Sequence, residues 1–67
     1  MDLLDIPNRG SEVTLYRINA MDIPCEIIKG DILDFTKTSV MIGVKDENTI
    51  HVIKREYIDY IIVHVKE

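Results

Sequence analysis

The 67-residue chain has one cysteine, one alanine, no tryptophan and no glutamine. A lone thiol, Cys25, excludes an intramolecular disulfide and a thiolate cluster for zinc. The two histidines, His51 and His64, fall on different predicted strands, and no further ligand cluster accompanies them, so no metal is expected. No aliphatic run exceeds the three residues Ile61-Ile62-Val63, far short of the roughly 20 apolar residues of a membrane span. The start, Met1-Asp2-Leu3-Leu4-Asp5, is acidic where an export signal is basic. With the free thiol, this gives a cytoplasmic expectation. Excess positive charge is lacking too. The net charge is −4, which excludes a generally basic surface as the means of holding nucleic acid. Such a role would need a local positive site or base stacking. No serine–histidine–acid set can be read, and Cys25 has no basic sequence neighbour to lower its pKa. The chain therefore reads as a non-enzyme without a cofactor.

What is abundant is β-branched. Twelve Ile, six Val and four Thr make up about one residue in three, and such stiff side chains favour a pleated surface over a helix. Residues 1–10 form a lead-in, where Leu3, Leu4 and Ile6 could line one helical turn before Pro7. Strand one is expected from Glu12 to Ile18, followed by a turn at Asn19-Ala20-Met21-Asp22. Strand two runs from Cys25 to Phe35. Its apolar phase changes after Gly30 and Ile32, which predicts a bulge or sharp bend. Thr36-Lys37-Thr38-Ser39 is a polar turn. Strand three is Val40–Val44, strand four Thr49–Ile53 with Ile50 and Val52 inward, and strand five Tyr57–Val65. Lys54-Arg55-Glu56 breaks the last two. There is no linker or repeat, so residues 1–67 are one domain with its barrel over 12–65. The predicted class is all-β, a small five-stranded, strongly bent barrel.

A domain this short buries only about 60% of its extended-chain surface. The apolar, nearly uncharged segment Tyr60–Val65 would be a hazardous free edge. Self-association is the expected remedy, and pairing between different edges of neighbouring copies makes a ring when the rotation closes.

Three segments carry a family resemblance: Val13-Thr14-Leu15-Tyr16-Arg17-Ile18-Asn19, Gly30-Asp31-Ile32 with Phe35, and Ile53-Lys54-Arg55-Glu56-Tyr57-Ile58. Together they resemble the Sm-like family, the Sm, Lsm and Hfq proteins, across roughly Glu12 to Val65. The resemblance implies an Sm-like (SH3-like) barrel after a short N-terminal segment. It implies homo-oligomeric rings of about five to eight subunits, joined through strands four and five. It also implies single-stranded RNA, uridine- or adenosine-rich, at the inner rim. There are departures. Ala20 stands where the family has glycine, and Arg55 where it has glycine or histidine. Thr36-Lys37-Thr38-Ser39 replaces the turn whose aspartate and asparagine hold a base. The C-terminal half, Met41-Ile42-Gly43-Val44 with Ile50-His51-Val52 and Arg55-Glu56-Tyr57-Ile58, is also similar to the carbon storage regulator family of RNA-binding dimers.

The candidate RNA-binding residues are Lys37, Thr38, Ser39, Lys54 and Arg55. A guanidinium can stack on a base and hydrogen-bond a phosphate, which lysine does less well. The bland alternative for Lys54-Arg55 is a solvated turn that discourages edge pairing, and for the whole protein a scaffold ring without an RNA site. The aromatics Tyr16, Phe35, Tyr57 and Tyr60 are expected mainly in core or interface.

Overall fold

The protein is represented by a computed structural model that describes residues 6–65. Its five antiparallel strands are β1 (Glu12–Ile18), β2 (Pro24–Phe35), β3 (Ser39–Val44), β4 (Thr49–Lys54) and β5 (Ile58–Val63). They form one sheet in the order β4-β3-β2-β1-β5. The all-β class expected from the β-branched content is thus the observed one. Short 3₁₀ turns at Lys45–Glu47 and Arg55–Tyr57 connect β3 to β4 and β4 to β5. No helix among the described residues is long and apolar enough to cross a membrane. Leu3 and Leu4 of the expected helical turn lie outside the described residues. Ile6 is non-helical and packs against the core.

The sheet has to curl. Val13, Leu15, Ile28, Ile32, Val40, Ile42, Ile53 and Ile58, drawn from all five strands, are each 4% exposed or less. Among the described residues no α-helix covers either face, so a flat sheet would leave these side chains in water. Each contributes roughly 1.5–3 kcal/mol only when its water is removed. Rolling the sheet onto its own inner face achieves that.

The curl is made in β2. Its first part pairs with β1 from Pro24 to Asp31, and its last part pairs with β3 from Asp31 to Phe35. Gly30 sits at this hand-over. A Cβ there would run into the Gly43 carbonyl oxygen and stand 2.9 Å from Ile42 Cγ2. Three residues on, the ladder slips at Leu33, because Ile32 opposes Ile42 while Asp34 opposes Met41. This is the bulge that the phase change predicts. It turns Leu33 outward, where its methyl groups lie over Gly43.

One expectation fails in β4. Ile50 and Val52 are 65% and 62% exposed, whereas Ile53 is buried. Residues directly opposite in an antiparallel ladder share a face. His51 and Ile53 oppose the inward Ile42 and Val40, so Ile50 and Val52 must point out.

The barrel is not closed by hydrogen bonds. β4 pairs with β3 and β5 pairs with β1, and no β4–β5 ladder is present among the described residues. Both edges carry outward apolar side chains: Ile50 and Val52 on β4, Tyr60 and Ile62 on β5. Tyr60 stacks on its cross-strand neighbour Tyr16, with ring centroids 4.4 Å apart.

Candidate nucleic-acid interface

The turn after β2 is held by its own side chains. Thr36 Oγ1 accepts from the backbone N–H groups of Thr38 and Ser39, at 3.2 and 3.0 Å. The Thr36 N–H donates to Ser39 O at 2.8 Å. Such local hydroxyl-to-backbone bonds are why Thr and Ser favour turns. This preorganises Lys37 at the tip and leaves its ammonium in solvent.

The second half of the site comes from the end of β4. Ser39 opposes Lys54 in the ladder, and the Arg55 N–H donates to Thr38 O at 2.8 Å. The break between β4 and β5 is therefore stitched to the turn between β2 and β3. The result is an open cleft of about 360 Å³ lined by Lys37, Thr38, Ser39, Lys54, Arg55 and Glu56. All five candidate residues meet there, although up to 18 positions separate them in sequence. Three cations face one carboxylate, so the cleft is locally positive on an acidic protein.

Two arginines, one of them from the cleft lining, gather on the Phe35 ring. The Arg55 guanidinium stands 6.0 Å from the centre of the Phe35 ring, and that of Arg9 stands 5.7 Å from it. Both distances fall within cation–π range. Arg9 Nε and Nη2 donate to Asp34 Oδ1 at 3.0 and 2.9 Å. The Phe35 N–H donates to the same oxygen at 2.8 Å. Asp34 thus serves the fold rather than the cleft, which it does not line. These bonds hold its carboxyl below the ordinary value of 3.8, first through the Phe35 N–H and then through Arg9.

A pH dependence follows with a definite sign. A carboxylate whose folded pKa is depressed favours folding above its ordinary pKa, and this contribution is lost as pH falls through the folded value. Asp34→Asn should flatten the loss of stability in acid below about pH 4, read as the urea midpoint against pH. An unchanged acid slope would show that the Asp34 carboxylate, with its Phe35 N–H and Arg9 partners, adds nothing.

Arg9 was not singled out from sequence. It lies 25 residues from Asp34, and nothing local to either residue announces the pair. Phe35, Tyr57, Tyr16 and Tyr60 all lie outside the cleft lining. Phe35 and Tyr57 pack against the core. His64 is committed elsewhere, with Nε2 2.7 Å from the buried Thr14 hydroxyl. Among the described residues no group of three or more His, Cys, Asp or Glu gathers to hold a metal ion. Cys25 is exposed at the start of β2.

A larger hollow of about 680 Å³ lies along β1, β2 and β3. Its lining carries Lys29 and Lys45 together with Glu12, Asp31 and Asp46, and Lys45 Nζ is 3.8 Å from Asp31. With opposite charges on its walls it has no preference for an anion. The lining of the smaller cleft has three cations and one carboxylate. No family model, curated protein or solved structure matches the chain.

Proposed function

We propose that the chain is an Sm-like subunit that assembles into a homo-oligomeric ring and holds single-stranded RNA along the rim lined by Lys37, Thr38, Ser39, Lys54 and Arg55. The observation that carries the RNA reading is the convergence of those five residues on one locally positive cleft. Ring assembly is supported by the strand order. The two edges left over are β4 and β5, each flanked by exposed apolar side chains. Edge pairing between copies satisfies the open backbone groups and covers those side chains. The two edges differ, so the contact is heterologous and repeats around an axis. Each copy then adds one cleft to a common rim, and weak contacts accumulate through multivalency.

The test is direct. Single-stranded RNA should bind at low salt and be lost as salt rises, with a log–log slope of about −0.7 per phosphate engaged. The Lys54→Ala/Arg55→Ala double variant should lose roughly tenfold or more in affinity while its mass in solution is unchanged. Lys45→Ala, outside the cleft lining, should change affinity little. An intact assembly without affinity for RNA at low salt would leave the scaffold reading, which the net charge of −4 favours.

A further inference from the structure

The lead-in brings a second guanidinium to the edge of the site. Asn8-Arg9-Gly10 is a turn. The Ser11 N–H donates to Asn8 O at 3.1 Å, and Gly10 takes a φ of 86°, which glycine adopts at no steric cost. The turn is tied to β2. The Gly10 N–H donates to Ile32 O at 2.7 Å, and the Ile32 N–H donates to Ser11 O at 2.9 Å. These bonds fix the backbone on either side of Arg9 and set its side chain against Phe35. One ring then carries two guanidiniums, Arg9 from the turn and Arg55 from the cleft lining.

Arg9 differs from the three cleft cations in what it can offer. Its charge is already paired with Asp34 at 2.9 Å, so it adds little attraction for a phosphate. Its shape is left free. Nε and Nη2 donate from one edge of the guanidinium, in its plane, and such bonds do not occupy the flat faces. The pairing holds the group still, and the side chain is 68% exposed. Single-stranded bases stack on arginine planes as well as on aromatic rings. Phe35 and Tyr57 pack against the core, which leaves the Arg9 plane as a flat surface open to solvent beside the cleft. A lysine ammonium has no such plane.

From this we infer that Arg9 is a base-stacking residue of the site: a nucleotide whose phosphate lies in the cleft lays its base on the Arg9 guanidinium. This rests on the nucleic-acid reading above and extends it to a residue outside the cleft lining. Asp34 is then a positioning residue, which orients the plane and cancels its charge.

The experiment measures oligo-uridine and an abasic oligoribonucleotide of equal length by fluorescence anisotropy, on wild type, Arg9→Ala and Arg9→Lys. The lysine variant keeps the charge and loses the plane. Both variants should weaken oligo-uridine by roughly fivefold or more, as loss of a stacked base does. Both should leave the abasic strand within about twofold of wild type. The log–log salt slope should stay that of wild type, because no phosphate contact is removed. The mass and the urea midpoint should change little, since the Arg9–Asp34 pair is exposed. Wild-type affinity in Arg9→Lys would show that only charge matters, and overturns the inference. Equal losses on both strands, or a shallower salt slope, would show that Arg9 acts on phosphate or on the fold, and overturn it too. If the abasic strand fails to bind even wild type, the loss of oligo-uridine by Arg9→Lys at an unchanged slope supports the inference, and retention overturns it. In each of these cases RNA binding itself stands, provided the Lys54→Ala/Arg55→Ala variant loses it. Absence of oligo-uridine binding by wild type overturns this inference and the RNA reading together.

Discussion

Gly30→Ala is expected to destabilise the protein by about 3 kcal/mol, and Gly43→Ala by about 1 kcal/mol or less. Both positions are crowded, but by different neighbours. At Gly30 the new methyl would meet the Gly43 carbonyl oxygen and, 3.0 Å away, its carbon. Those are backbone atoms of β3, and moving them breaks the ladder where β2 passes from β1 to β3. At Gly43 the methyl would meet the Leu33 side chain, with Cδ1 at 2.9 Å. Leu33 is 44% exposed and can change rotamer into solvent. At roughly 0.05–0.15 kcal/mol per residue a domain of this size is stable by about 3–10 kcal/mol, so the Gly30 variant loses a large share of its stability. Urea titration of both variants measures the difference. Equal, small effects would mean that β2 does not turn sharply at Gly30.

The second large effect concerns the edges. Ile50→Lys/Val52→Lys should leave the protomer folded and disperse the assembly. The two side chains are exposed in the protomer, and substitutions at such sites usually shift stability by about 0.5 kcal/mol or less. In an edge-to-edge contact, β4 of one copy lies beside β5 of the next. Ile50 and Val52 then stand on the same outward face as Tyr60 and Ile62 of that neighbour. Lysines there are the device by which natural edge strands refuse pairing. Circular dichroism should match wild type while the mass falls to that of one chain. An unchanged mass would place the contact elsewhere.

Much of the fold was legible in the residues. The β-branched content gave the class, and the glycine with a phase change marked the bend in β2. The polar tetrads marked the turns. The facing of β4 was not legible, because Ile50-His51-Val52-Ile53 is apolar on both faces. Only the pairing of His51 and Ile53 with Ile42 and Val40 decides which side is in. In the cleft, the types and spacing of Lys37–Ser39 and Lys54-Arg55 were readable, and their meeting follows once β3 and β4 form a hairpin. The contribution of Arg9 was not readable, since it depends on the lead-in returning beside the end of β2, where the Gly10 N–H donates to Ile32 O at 2.7 Å.

The central claim, that the open β4 and β5 edges are closed by other copies of the chain, is tested most directly by multi-angle light scattering of the wild-type protein at micromolar concentration. The account predicts one sharp species several times heavier than the 7.7 kDa chain. A stable particle of 7.7 kDa would contradict it.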